Sequence, residues 1–332
     1  ITTKDNKLYM ICLGIKSIFS KLPLTVLKFL SKEFKCKVNK KLCDVKYEKI
    51  YIDHLQIAIN INIKQNIEVI LDEHNCEYII MKRKFEEENN LIKKIVFGLE
   101  YIKLKQYEKK ILKNVSKVIA LSEQDKNQLV RLGCDTNKIE IIPIPFSDGY
   151  IKKDFISNNS EIINILFVGT MSWMPNEEGV LWFIKKVVPL LRNKNLKFKL
   201  YIVGKGAGKE ICSYNNNVDI EVLGFVESID NYIELCDCMI VPIFFGSGIR
   251  VKIIEAFSKK IPVISTTIGA EGLKAINNHN ILIADNEHEF VECIKCMKNA
   301  ELKNNLINNA RKVFEKEYSY NSIKNKFSSF IC

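Results

Sequence analysis

Long apolar runs are missing from this 332-residue chain: no stretch of about 18 residues is free of charge, so no transmembrane helix is expected. No cleavable signal peptide is evident either. Arginine is scarce, with five positions (83, 131, 192, 250 and 311) among 50 basic residues. With no recognisable reader module and no interleaving of aromatic and basic residues, a nucleic-acid partner is not expected. Metal-ligand spacing is also lacking. Cys293-x-x-Cys296 is the lone CxxC among eleven cysteines and has no second pair, so no metal site is expected. In EFVECIKCMKNAEL the two thiols are expected to share the buried face of an amphipathic helix, and Cys236 and Cys238 to lie in core. Scattered thiols in odd number point to a reducing compartment.

What is present is globular composition, 47% hydrophobic and 27% charged, in a chain long enough for two domains. Net charge is +11 and uneven. Residues 1–150 carry 27 basic and 19 acidic side chains, and the remainder 23 and 20. A Lys-rich surface merely solvated is one reading of this excess, and an anionic partner is the other. The segment LYMICLGIKSIFSKLPLTVLKFL is too polar to span a bilayer but could lie on one. The chain is therefore expected in the cytoplasm, with peripheral contact with an anionic membrane, at its inner face, as one reading.

After residue 45 strands and helices alternate. KIYID (49–53), IEVILDEHN (67–75), KVIAL (117–121) and IEIIPIP (139–145) read as strands, and 86–114 as helix. Ser122, with Asp125 three residues on, starts another helix. Residues 146–161 are polar and weakly patterned, as a linker is. The second half repeats the alternation in INILFVG (163–169), a helix over 175–192, KFKLYIVG (197–204), DIEVLGFV (219–226), CMIVPI (238–243), a helix from about Ile249 to Lys260, PVIST (262–266) and ILIAD (281–285). Helices fill 287–299 and 301–317. The fold class is α/β, two Rossmann-like domains with parallel sheets. The boundaries are 1–148, a linker at 149–161, a second domain at 162–316, and a C-terminal helix over 317–332 crossing back to the first.

One strand–loop–helix carries the clearest chemistry. In IVPIFFGSGIRVKIIEAF a strand ends, Gly246-Ser247-Gly248 turns the chain, and a helix begins near Ile249. Exposed amides and the helix dipole make an anion site there, with Arg250 and Lys252 adding charge. Lys252 and Glu255 are three residues apart on one helix face. A cation suits a pyrophosphate, and a carboxylate suits vicinal hydroxyls of a ribose or sugar. A glycine turn with solvated charges is the competing reading. Gly204-x-Gly206-x-Gly208 follows a strand but has Lys209 where a dinucleotide fingerprint needs glycine, so it reads as a cleft-lining loop. His74, one of four histidines, ends a strand where α/β folds bind ligands. Trp182 reads as packing; Trp173 is either packing or cleft lining.

With their surroundings these residues resemble the donor domain of glycosyltransferase family 4, of the GT-B fold. FVGTMSWMPNEEGVLWF, YIVGKG, VLGFV, DCMIVPIFFGSGIRVKIIEA, PVIST and GAEGL stand in the family's order and spacing, and EKEYSY resembles its closing segment. DEHNCEY and VIALSEQD fit in the first half, so the resemblance covers most of 45–330. It implies two domains facing across a cleft. It also implies metal-independent, retaining transfer of a sugar from a nucleotide sugar to a glycan or lipid-linked acceptor, in cell-surface polysaccharide biosynthesis. The nucleotide sugar is a co-substrate, and no cofactor is implied. Donor contacts fall on Gly169, Gly204, Gly246, Ser247, Gly248 and Ile249. His74, Arg250, Lys252 and Glu255 carry the chemistry, with His74 near the donor sugar and Glu255 on the ribose. Asn75, Glu77, Trp173 and Asn176 are candidates for the acceptor side.

Two departures mark this chain. Ser247 stands where the family has the first glutamate of Glu-x7-Glu, and the loop after the 163–169 strand lacks the family's Arg and Lys, so Arg250 and Lys252 are expected to take over their charge. No strand–glycine–helix unit precedes residue 45, so the first β–α unit is expected to be missing or divergent. A degenerate subunit that binds a nucleotide sugar without turnover is the alternative expectation.

Overall fold

A computed structural model describes residues 7–63, 67–146, 161–216, 218–246 and 248–331. The chain divides into two compact units, Ile1–Ile142 and Pro143–Cys332. The expected linker falls, except for Glu161, outside the described residues, as does Ser247.

Unit 1 begins with α1 (Lys7–Phe19), α2 (Leu24–Leu27) and α3 (Lys32–Asp44). Its sheet follows, with β1 (Lys49–Asp53), β2 (Glu68–Glu73), β3 (Lys117–Ala120) and β4 (Ile139–Ile141). All are parallel and lie side by side in chain order. The helix expected over 86–114 is two helices, α4 (Glu77–Glu87) and α5 (Leu91–Asn114). Asn90 causes the break: its side chain accepts hydrogen bonds from the amides of Ile92 and Lys93, capping α5. The Ser122 cap is as expected, with Oγ accepting from Asp125 N at 3.1 Å to start α6 (Glu123–Leu132).

A buried carboxylate, Glu108 of α5, holds α4 to α5. Glu108 is fully buried and accepts from Tyr78 N at 2.9 Å. Glu73 is 1% exposed, and neither of its carboxylate oxygens has a hydrogen-bond partner among the described residues. Burial pushes both carboxyl groups up, and the charge of Glu108 raises Glu73 further. A raised folded-state value means that stability is lost as pH climbs from the ordinary carboxyl range through the folded value. Glu108→Gln keeps an acceptor for Tyr78 but cannot ionise. We expect its melting temperature, relative to the parent chain, to improve steadily from pH 5 to pH 8; a constant difference across that range would refute the assignment.

Unit 2 runs β5 (Ile163–Val168), α7 (Met174–Trp182), α8 (Val188–Asn193), β6 (Phe198–Val203), α9 (Lys209–Ser213), β7 (Ile220–Gly224), α10 (Asp230–Leu235), β8 (Cys238–Val241), α11 (Val251–Ser258), β9 (Val263–Ser265) and β10 (Leu282–Ile283). It closes with α12 (Glu287–Cys296), α13 (Ala300–Glu317) and α14 (Tyr320–Ile331). A π-helical turn, Phe183–Val187, joins α7 to α8. Pro189 lies just beyond it and has no amide to donate, which relaxes the ladder there. Cys236 and Cys238 are core, as expected. Cys293 is half-buried but Cys296 is exposed, because Phe290, Ile294 and Met297 set the buried face of α12 and, at about 100° per residue, Cys296 lies off it.

The parallel six-stranded sheet has the order β10-β9-β8-β5-β6-β7. The chain builds outward from β5 to β7, then returns to the other side of β5 with β8. The order therefore reverses between β5 and β8. In an open parallel sheet, ligands bind beyond the carboxyl ends of the strands at such a point. Gly169 follows β5, and the glycine loop follows β8.

Candidate active site

The loops after β5, β6 and β8 meet through groups that leave no room for larger side chains. Gly204, after β6, has φ +147°, and a Cβ there would sit 1.8 Å from the carbonyl oxygen of Gly169. Gly169 N donates to Val203 O at 2.9 Å and Gly204 N to Gly224 O at 2.7 Å, so both backbones are fixed. A Cβ on Gly169 would lie 2.7 Å from both Asn176 Nδ2 and Lys252 Nζ. The Lys252 ammonium therefore rests directly over the end of β5.

Its anchor is Asn176. Asn176 is 4% exposed, donates from Nδ2 to Thr170 O at 2.9 Å, and accepts at Oδ1 from Lys252 Nζ at 2.8 Å. Asn176, expected near the acceptor, thus spends both ends of its amide within unit 2. Lys252 Nζ also lies 4.8 Å from the centre of the Phe167 ring. Burial, then repulsion from Arg250, lowers its pKa to about 7.

Arg250 forms the other half of the site. It is 5% exposed and donates from Nη1 to Gly248 O at 2.7 Å. Its guanidinium carbon lies 5.1 Å from the centre of the Trp173 ring. Gly246 fits beneath, with φ +110°; a Cβ there would meet Arg250 Nη2 and Trp173 Cζ2 at 3.3 Å. Trp173 therefore belongs to the site, whereas Trp182 packs against Phe244 and Phe290.

The helix after this loop begins at Val251, two residues later than its expected start, because Ile253 N closes on Arg250 O at 2.8 Å and Val251 N on Ile249 O at 3.1 Å. Ile249 is thus part of the loop. Glu255 does not pair with Lys252. It faces Lys259 Nζ at 3.2 Å, which also meets Asp230 Oδ1 at 2.6 Å. Lys252 is directed to β5 and Glu255 toward α10.

Unit 1 gathers a second group of side chains at the carboxyl ends of β1 and β2. Asp53 pairs in register with Asp72, so the residues just past each strand end meet. These are His54 and, two positions beyond Asp72, His74. Their rings stack at 3.7 Å, and His54 Nδ1 and His74 Nε2 lie 2.8 and 2.9 Å from the same oxygen, Asp53 Oδ1. Asp72 Oδ2 is 3.7 Å from His74 Nε2 and accepts from the Tyr51 hydroxyl. Glu77 opens α4; burial raises its pKa, against the lowering effect of a side-chain bond from Gln56. Asn75 is half-buried in the connecting loop. Among the described residues, Asp53, His54 and His74 are grouped closely enough to hold a metal ion, with ligand atoms within 4.8 Å of one another. Asp53 and His54 were missed in the sequence, although His54 stands one residue past a strand just as His74 does.

Residues 163–299 match the family model described as Glycosyl transferases group 1. A relative from Klebsiella pneumoniae, described as an uncharacterized 44.6 kDa protein in the cps region, is 27% identical over 302 residues, covering 87% of this chain and 74% of the relative. Among solved structures, TarM superposes with a TM-score of 0.65 at 18% identity, over 88% of this chain and 57% of TarM. HepE from Anabaena, in complex with UDP, gives a TM-score of 0.65 at 13% identity, over 90% of this chain and 81% of HepE. The chain thus spans little more than half of TarM, and the structural likenesses at these identities concern the fold. The matched residues, which include β5, the glycine loop and both buried cations, are similar to the group 1 glycosyl transferases, and the chain has a parallel-sheet α/β fold like those of TarM and HepE.

Proposed function

We propose that the chain is a family 4 hexosyltransferase. It moves a sugar from a nucleotide sugar to a glycan or lipid-linked acceptor, with retention and without a metal, in the making of a cell-surface polysaccharide. One observation carries this reading: two cations, Arg250 and Lys252, are fixed at the switch point of a parallel sheet beside a glycine loop. Such a site suits a diphosphate. The HepE complex with UDP and the cps-region relative support the donor class and the pathway class.

In the reaction the bond between the anomeric carbon and the diphosphate oxygen breaks, and a bond to an acceptor oxygen forms on the same face. The acceptor proton passes to the departing diphosphate. Charge develops on that diphosphate, and positive groups already in place stabilise it without reorganising. Arg250 holds the loop and presents its guanidinium. Lys252, with a pKa near 7, takes a proton as the diphosphate arrives and then neutralises it. Glu255 is assigned to the ribose, and His74 with Glu77 to the sugar and acceptor.

Thermal melting with UDP, GDP and ADP and their sugar conjugates tests the donor site, since ligands that bind only the native state raise its stability. We expect a shift with one base only, followed by turnover with a suitable acceptor. A shift without turnover on any acceptor would point to a binding subunit, and no shift with any nucleotide would end the proposal. Transfer is expected to survive EDTA; its loss, and recovery on adding zinc, would move the chemistry to Asp53, His54 and His74.

A further inference from the structure

His54 holds an uncommon backbone for a histidine, with φ 73° and ψ 137°. This lies close to a region that glycine alone adopts with ease. The His54 amide donates to Asp72 O at 3.1 Å, which ties the conformation to β2. The outcome is an imidazole laid on the ring of His74, the two planes 16° apart. Strain that the surrounding structure enforces clusters at functional sites.

Three donor atoms converge there. His54 Nδ1 and His74 Nε2 both meet Asp53 Oδ1, at 2.8 and 2.9 Å, and all three lie within 4.8 Å of one another. Zinc bonded at about 2.0 to 2.2 Å spaces tetrahedral ligands about 3.3 Å apart, so small movements admit it. The rings must tilt out of their stack for both lone pairs to meet one ion. The side chains of His54 and Asp53 are 47% and 66% exposed, which gives them room to turn. Asp72 Oδ2, 3.7 Å from His74 Nε2, brings a second carboxylate to the group. Asp72 Oδ1 is buried with no hydrogen-bond partner among the described residues. Two imidazoles beside two carboxylates suit a divalent first-row metal ion, whereas magnesium and calcium call for oxygen alone.

We propose that Asp53, His54 and His74 bind one divalent metal ion of zinc's chemistry, and that the bound ion inhibits transfer. Three protein ligands leave a fourth position open to water. Neutral imidazole supplies each nitrogen lone pair, with the ring proton on the other nitrogen. His74 is assigned above to the sugar and acceptor, and an ion on its Nε2 withdraws the imidazole from that work. The ion is thus a brake on the reaction and no part of its chemistry. The inhibition rests on the proposed function; the binding rests on unit 1 alone.

Calorimetric titration of the chelator-treated full chain with zinc alone reads the binding and needs no turnover. We expect a site whose affinity falls at least about tenfold in His54→Gly, and again in Asp53→Asn. Glycine accepts the backbone of His54, so His54→Gly should melt close to the parent. Equal affinity in the parent and His54→Gly would put the ion elsewhere, on exposed thiols such as Cys212 and Cys296, and overturn the inference. So would a parent that binds no zinc. In the transfer assay, zinc should lower the parent's turnover at least about tenfold, the order of loss that follows from removing acid–base or polar help at the sugar. EDTA should restore it, and His54→Gly should keep its turnover at the same zinc concentration. Zinc that binds the parent and leaves transfer unchanged, or speeds it, would overturn the inhibition. A parent without transfer in any condition would sink the proposed function, and the inhibition with it, while the titration still decides the site.

Discussion

Replacing Lys252 by methionine is expected to weaken binding of the donor's nucleoside diphosphate by about ten- to a hundredfold, the range that follows from losing one charged hydrogen bond. The geometry makes this a clean substitution. Lys252 Nζ is held by Asn176 Oδ1 over the end of β5, and methionine keeps most of the side chain's bulk while removing its charge. A second signature accompanies the loss. With a pKa of about 7 in the free protein, Lys252 is largely neutral at pH 8, and an arriving diphosphate restores its proton. Binding at pH 8 should therefore take up protons in the parent and not in Lys252→Met. The same lowered value works in the opposite sense on stability. Between about 7 and the ordinary lysine value of 10.5 the unfolded chain binds more protons, so this group makes stability rise with pH across that window. Arg250→Ala should weaken donor binding comparably, and a change below about twofold would remove Arg250 from the phosphate site.

Gly204→Ala should destabilise the protein by about 3 kcal/mol or more, lowering the melting temperature by roughly 6 to 12 °C. The methyl group would meet Gly169 O at 1.8 Å and Gly169 C at 2.6 Å, and both are backbone, so no side chain can turn away. The φ of +147° adds strain that any L residue would feel. Gly14→Ala is the control. It lies in α1 with nothing within 4 Å of the new methyl, and alanine favours helix by about 0.5 to 1 kcal/mol. A Gly204→Ala protein as stable as the Gly14→Ala protein, measured by thermal melting, would show that the loops after β5 and β6 do not meet as described.

Much of this was legible in the sequence because parallel strands buried on both faces are nearly continuous apolar runs. INILFVG, KFKLYIVG and CMIVPI therefore marked β5, β6 and β8, and the glycines after them marked the ligand end of the sheet. The break at Asn90 was not legible, since the residues on both sides keep a helical composition and one cap decides it. Nor was the role of Asn176. Its partners, Thr170 and Lys252, lie six residues before it and 76 after it, and only folding brings the three together. Helical spacing placed Lys252 beside Glu255, but Lys252 reaches Asn176 of α7, and Glu255 pairs one turn further along with Lys259, at the end of its own helix. His54 shows the same limit from the other direction. Its place next to a strand end was visible, but its stacking on His74 required the in-register pairing of Asp53 with Asp72.

The central claim is that a nucleoside diphosphate binds between the end of β5 and the glycine loop, on Arg250 and Lys252. Calorimetric titration of the parent chain and Lys252→Met with the nucleotide chosen by the melting screen, at pH 8 in buffers of different ionisation enthalpy, tests it most directly. The account predicts buffer-dependent heats showing proton uptake in the parent, and weak binding without uptake in the variant. Equal affinity and equal proton exchange in the two proteins would contradict it.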